Sequence, residues 1–312
     1  MTSSLVRTEV RHDGLVGVLF HPEPASESAA ALPGVLTLGG AEGGLHERDA
    51  ALLAEQGYAA LALAYYGLPG LPNVLTDVPL EYFATALDHL RGHSRVDPQR
   101  IGIVGGSKGG EAALLVAATF PGIRAVVCLA GSGYVTQGIS QSVYTGSFRE
   151  IMTTPVACWT YQGREIPYLP NVLPPRVEAA LDAGEPVALG WTKPDITANS
   201  DLVEAATIPV ENIDGAVLLV VGADDIGGYG VTFHDVAARR LEAHKHPHAW
   251  QHIVLPGAGH DIIGPPDGTG PRPTTGPGPS GITFLNGGTP EINVRARAKT
   301  WRKTLDFLQQ EL

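Results

Sequence analysis

The run Gly105-Gly106-Ser107-Lys108-Gly109 fits the pattern G-x-S-x-G, and its flanks restrict what this chain can fold into. Ile101-Gly102-Ile103-Val104 precedes it as a short apolar run, and Glu111-Ala112-Ala113-Leu114-Leu115-Val116-Ala117-Ala118 follows as a strong helix former. Strand, sharp turn and helix are the setting of a nucleophile elbow, where the serine hydroxyl is held out at the tip of a strained turn. Glycines are required because neighbouring Cβ atoms would clash in such a turn. The helix N-terminus behind Ser107 adds free N–H groups and a positive dipole end where an oxyanion would develop. Nucleotide readings fail: G-x-G-x-x-G cannot be laid over residues 102–110, and Ser107 precedes Lys108, the reverse of the Walker order. The competing reading is an ordinary Gly-rich turn with a solvent-facing serine, so the remaining parts of a site decide.

An elbow serine needs an acid and a histidine later in the chain, in that order. Gly215-Ala216-Val217-Leu218-Leu219-Val220-Val221-Gly222 reads as a buried strand, followed at once by Asp224 and Asp225. His252-Ile253-Val254-Leu255 reads as another strand and runs into Pro256-Gly257-Ala258-Gly259-His260. Acid and histidine thus sit just beyond strand C-termini, the edge where open α/β sheets hold their ligands. Asp225 is preferred over its competitor Asp224 because its distance from Gly222 lets the loop turn back before the carboxylate is presented. A helix from Val236 to Ala243 fits between the two strands. His260 stands out because a Gly-rich turn presents it. His89, His93, His244, His246 and His248 lie in polar stretches and read as solvated, and Asp261 reads as a loop-capping residue. Oxyanion donors are expected from the loop Gly39-Gly40-Ala41-Glu42-Gly43-Gly44 after the strand Pro33–Leu38. The candidates are the amides of Gly40 or Ala41, together with that of Lys108.

Around these motifs, Leu5–Val10 and Leu15–Phe20 read as a hairpin about His12-Asp13-Gly14, and Pro22–Ala31 is a connector rich in small residues. Strand and helix then alternate to about Leu129, with an amphipathic helix over Glu81–Arg91. The fold class is α/β: an α/β-hydrolase fold in a single domain over residues 1–312, with a mostly parallel central sheet and helices on both faces. Residues 133–211 break the alternation with Tyr134, Tyr144, Phe148, Trp159, Tyr161, Tyr168 and Trp191, and read as an inserted cap. Each of these aromatics either shapes a pocket over the site or packs on the sheet edge. Residues 264–281, carrying Pro265, Pro266, Pro271, Pro273, Pro277 and Pro279, read as an irregular loop beside the site. Val294–Leu312 is the final helix.

A formal net charge of −11 argues against a nucleic-acid partner and offers no long-range attraction to a polyanion. Two cysteines, Cys128 and Cys158, are too few for a disulfide framework, and Cys128 lies in an apolar strand as a buried thiol. The absence of an apolar leader and of any long apolar run points to the cytoplasm and to no membrane partner. No Cys/His cluster has ligand spacing, so neither metal nor organic cofactor is expected.

The run Pro33–Gly44, then Ala62-Leu63-Ala64-Tyr65-Tyr66, Leu80-Glu81-Tyr82-Phe83, Ile101 to Glu111 with its Ser-Lys-Gly-Gly-Glu, and Pro256–His260 carry a resemblance. They resemble the catalytic domain shared by acyl-CoA thioesterases and bile acid-CoA:amino acid N-acyltransferases. The resemblance runs from about residue 33 to residue 312. It implies a serine hydrolase: thioesterase members carry Ser at the elbow and the aminoacyl-transferring branch typically carries Cys, so Ser107 leans towards hydrolysis. Eukaryotic relatives also carry an N-terminal β-sandwich domain, whereas 32 residues precede the first core strand here. The expected partner is a small-molecule acyl ester or thioester. Two alternatives stay open at this level: transfer of the acyl group to an amine or alcohol, and a non-catalytic binding protein on a hydrolase fold.

Overall fold

Eight short runs of branched and small apolar residues form one sheet in the computed structural model, which describes residues 4–24, 26, 30–267 and 274–312. In chain order the strands are β1 (Leu5–Val10), β2 (Val16–Pro22), β3 (Leu32–Leu38), β4 (Ala59–Ala64), β5 (Val96–Gly106), β6 (Ala125–Leu129), β7 (Ala216–Gly222) and β8 (Trp250–Leu255). Their spatial order is β1-β2-β4-β3-β5-β6-β7-β8. Strand β2 runs antiparallel to both neighbours and every other adjacent pair is parallel. The hairpin expected about Asp13-Gly14 forms, with positive φ at both residues.

Successive side chains of a strand point to opposite faces, so a strand covered on both sides must be apolar throughout. Strand β7 does this: Val217 and Leu219 enter one core, Leu218 and Val220 the other. The first core takes helices α2 (Leu80–Gly92), α3 (Lys108–Thr119) and α7 (Gly230–Ala243). The second takes α1 (Glu47–Glu55) and α8 (Pro290–Glu311). Truncating a fully buried strand leucine such as Leu219 to Ala costs about 2–5 kcal/mol. Because β3, β5, β7 and β8 are parallel, the loops after them gather at one sheet edge.

Between β6 and β7 lie three further helices, α4 (Phe148–Thr153), α5 (Pro175–Ala183) and α6 (Ser200–Ala206). They carry small cores of their own. Phe148, Ile151, Met152, Val177, Ala180 and Val187 make one, and Tyr134, Leu169 and Ala206 join Tyr229 and Phe233 in the other.

Four expectations need correction. Helix α8 starts at Pro290, not Val294, with the Thr289 side chain capping it. Helix α7 starts at Gly230, not Val236, because Gly230 turns with φ +65° and releases the chain into the helix directly after Tyr229. His246 is buried, not solvated: its Nε2 lies 2.9 Å from the Gly215 carbonyl oxygen. The stretch 264–281 contains order: Thr275–Pro277 pairs antiparallel with Thr283–Leu285 about a short 3₁₀ turn. Its residues 268–273, with Pro271 and Pro273, lie outside the described residues, as do 25 and 27–29 of the Pro22–Ala31 connector.

Candidate active site

Ser107 has φ 52° and ψ −120°, a conformation that strains an L-residue by about 1–3 kcal/mol. The surroundings hold it there. Its N–H donates to the Leu129 carbonyl of β6 at 2.8 Å, while its own carbonyl accepts from Gly110 N and Glu111 N. The turn is so tight that a Cβ on Gly105 would sit 1.9 Å from the Gly109 carbonyl oxygen.

His260 Nε2 lies 3.1 Å from Ser107 Oγ, and its Nδ1 lies 2.9 Å from Asp225 Oδ2. The other carboxylate oxygen of Asp225 accepts the Gly228 N–H at 3.0 Å. The Asp225 side chain is fully buried; Asp224 is exposed and takes no part in this chain. Asp261, read from sequence as a loop cap, pairs with Arg297 of α8 at 2.9 Å. Burial opposes charging of His260, but the Asp225 carboxylate outweighs it by proximity and hydrogen bonding. Glu42 and Asp261 add to the effect, and the imidazole is held above its ordinary value. The His260 loop is itself anchored: His260 N donates to the Asn286 carbonyl, and Gly259 N to Asn293 Oδ1 at 2.8 Å. Asn293 is completely buried and also donates to Gly287 O. The sequence reading starts the last helix at Val294 and so leaves Asn293 outside it.

The loop after β3 approaches Ser107 closely, since a Cβ on Gly40 would stand 3.2 Å from Ser107 Cβ. Of the two amides expected as donors here, that of Gly40 is occupied: it donates to Glu42 Oε1 at 3.1 Å. Among the described residues no group accepts from Ala41 N or Lys108 N. Glu42 also pairs with His46 at 3.1 Å. Burial pushes the Glu42 carboxyl up, but the His46 contacts prevail and its pKa falls, while that of His46 rises. Peptide planes in the loop are pinned from behind. The buried Tyr65 hydroxyl lies 2.6 Å from Gly39 O and 3.3 Å from Gly40 O, and Tyr66 donates to Ala41 O. Because a peptide is planar, fixing those carbonyls also aims the N–H groups of Gly40 and Ala41. Burial drives the Tyr65 phenol far up, so it stays a donor.

The Lys108 side chain turns away from the solvent into a buried network that the sequence did not reveal. Its Nζ donates to Glu111 Oε1 (2.9 Å), Thr136 O (2.8 Å), Thr136 Oγ1 (2.7 Å) and Gln137 O (3.2 Å). Glu111 also accepts from Trp159 Nε1 at 2.8 Å and from Thr136. The available signal was a Lys/Glu pair three residues apart in an otherwise apolar helix.

A cavity of about 440 Å³ opens above Ser107 and His260. Its far wall comes from the segment between β6 and β7, with Ile139, Phe148, Ile151, Met152 and Leu189. Of the aromatics in that segment, Tyr144 and Phe148 line the cavity. Trp159 packs against Tyr65 and Phe83, Tyr134 against Phe233, and Trp191 lies under Arg176.

A family described as "BAAT / Acyl-CoA thioester hydrolase C terminal" matches residues 78–312. The chain belongs to this family. It is 32% identical to mouse acyl-coenzyme A thioesterase 2, mitochondrial, over 98% of its own length and 60% of that protein. It is also 32% identical to mouse acyl-coenzyme A thioesterase 1, over 98% of this chain and 65% of that one. The family member therefore spans roughly three-fifths to two-thirds of the length of these curated relatives. Among solved structures, a putative dienelactone hydrolase from Klebsiella pneumoniae superposes with a TM-score of 0.55 at 17% identity, covering 98% of each chain. Pyrococcus horikoshii acylaminoacyl peptidase superposes with a TM-score of 0.60 at 13% identity, over 100% of this chain and 42% of that one. These likenesses establish the α/β-hydrolase fold that the G-x-S-x-G context implied. Among the described residues no helix is long and apolar enough to cross a membrane.

Proposed function

We propose that this family member hydrolyses an acyl thioester, most readily an acyl-CoA, through an acyl-Ser107 intermediate. The observation that carries the reading is the hydrogen-bonded chain Ser107–His260–Asp225 beneath a largely apolar cavity. Family membership and the thioesterase names of the relatives support the choice of thioester over other esters.

In this mechanism neutral His260 takes the hydroxyl proton as Ser107 Oγ attacks the thioester carbonyl. Asp225 holds the tautomer with Nδ1–H towards itself and stabilises the imidazolium. The oxyanion is received by the amides of Lys108 and Ala41, whose donors are unoccupied, or by Gly40 once Glu42 yields; each donor is worth about 3–4 kcal/mol in a well-formed hole. The thiol departs with the proton from His260. Water, deprotonated by His260, then releases the acid from Ser107. Residues 133–211 act as the cap over the acyl group, within a single catalytic domain. Buried free thiols at Cys128 and Cys158 suit work in the reducing cytoplasm.

Ser107→Ala should abolish release of free thiol from acyl-CoA while leaving the fold and stability nearly unchanged, because only a hydroxyl is removed. Wild-type turnover in that variant would refute the assignment. Adding an amine or alcohol acceptor to the wild-type reaction and finding amide or ester in place of acid would redirect the reading to transfer.

A further inference from the structure

The cavity contains two lysines in opposite states. Lys108 Nζ is saturated by the acceptors named above, including the Glu111 carboxylate. Lys193 Nζ has one neutral acceptor, Asn171 Oδ1 at 3.2 Å, and lies 4.9 Å from the centre of the Tyr229 ring. Among the described residues no carboxylate forms an ion pair with Lys193. An ammonium has three N–H donors, so Lys193 has directions left to satisfy. Lys193 and Asn171 both line the cavity that Ser107 and His260 share.

A cation in such a place is costly: burial penalises the charge and the nearby Lys108 repels it, and attraction by Glu111 and Asp225 only partly offsets this. These effects push Lys193 down to about 8, which still leaves it largely protonated at neutral pH. A cation with open donors in a cavity wall offers a docking point to an anion that enters the cavity. Two parts of a thioester substrate can supply one: the phosphates of the leaving group, or a carboxylate on the acyl group. Lys193 comes from the same segment as Phe148, Ile151 and Met152, the apolar wall that the proposed reaction gives to the acyl chain. The acyl group is therefore the better source.

We infer that Lys193, with Asn171 beside it, is a carboxylate subsite, and that the preferred substrates are thioesters of dicarboxylic acids whose free carboxylate docks on Lys193. This inference rests on the thioesterase reading given above.

The test compares CoA thioesters of the dicarboxylic acids from succinic to sebacic with the same compounds methylated at the free carboxyl. Wild-type enzyme should favour the acid over its methyl ester in kcat/KM by about ten-fold or more at one chain length, the scale of a lost charge-assisted hydrogen bond. Lys193→Met should collapse that ratio towards unity, and Lys193→Arg should restore most of it. Should Lys193→Met fail to fold, the wild-type ratio still decides. Methyl esters matching or exceeding the acids at every length would overturn the inference. So would a Lys193→Met variant that retains the wild-type ratio, or one that slows acid and ester equally, which would put Lys193 on the CoA moiety. If no thioester is turned over, the hydrolase reading falls separately. Calorimetry with the free dicarboxylates then tests the subsite alone: binding by wild type that Lys193→Met abolishes supports it, and absence of binding overturns it.

Discussion

On the sheet side of the cavity, the chemistry-bearing groups are held by backbone. Ser107 N is tied to β6, Asp225 to the Gly228 amide, His260 N to Asn286, and the Gly39–Ala41 carbonyls to two tyrosine hydroxyls. On the opposite side, the segment between β6 and β7 presents apolar side chains from a small separate core, with one under-satisfied lysine among them. Preorganised dipoles suit a developing charge whose position never changes, whereas a wall of side chains can differ without disturbing the chemistry. The comparison assigns reaction type to the first wall and choice of acyl group to the second. Substitutions on the sheet side should therefore change kcat for every substrate, and those opposite should change which substrate is used.

The largest effect should come from the acid. Asp225→Asn removes the partner that fixes the His260 tautomer, and the comparable loss in a serine protease is about 10⁴ in kcat. Asp224→Asn, one residue away and exposed, should leave kcat near wild type. Steady-state kinetics of both folded variants decides, and a greater loss in Asp224→Asn would reverse the assignment.

Next in size is a stability effect where the two walls meet. Glu111→Ala would strand the buried Lys108 charge and unpair Trp159 Nε1, with a cost of about 3–5 kcal/mol. Asp182→Ala, which breaks an exposed pair with Arg149, should cost about 1 kcal/mol or less. Urea denaturation midpoints compare them; equal midpoints would mean that the buried network does not join the walls.

A smaller kinetic effect is expected from Tyr65→Phe. It leaves the Ala41 and Gly40 amides in place but loosens their aim, so kcat should fall by roughly ten-fold, less than loss of a donor itself, with KM little changed. A rise in KM at constant kcat would make Tyr65 a binding residue instead.

The mildest prediction concerns pH. In the proposed mechanism His260 acts as base when neutral, and its carboxylate neighbours hold its pKa above that of an ordinary imidazole. Activity should therefore be lost as pH falls through a value higher than that of a free imidazole. Removing the Asp225 charge should move this limb to lower pH. A limb at or below that of an ordinary imidazole in wild type would contradict the electrostatics of the site.

Ser107, Asp225 and His260 are legible in the sequence because parallel strands end at a common edge and a short loop after each strand can hardly leave it. The sheet is legible for a related reason: strands buried on both faces read as uninterrupted apolar runs. What the sequence does not reveal are partnerships between distant segments. Tyr65 on Gly39, Asn293 under Gly259, and Trp159 on Glu111 join residues 26, 34 and 48 positions apart, and no periodicity encodes such pairings. His246 is hidden similarly, because a polar stretch gives no sign that its ring tucks beneath Gly215. The start of α7 is obscured because Gly-Gly-Tyr-Gly resembles loop, yet a glycine at positive φ opens that helix.

The central claim is that the acyl group resides transiently on Ser107. It is tested most directly by acid-quenching the enzyme during turnover of an acyl-CoA and mapping the adduct by peptide mass spectrometry. The account predicts one added acyl group on the peptide containing Ser107, absent from Ser107→Ala and preserved by the acid quench, which protonates His260 and stops its hydrolysis. Full thiol release with no adduct on Ser107 under any quench, or an adduct on another residue that persists in Ser107→Ala, would contradict it.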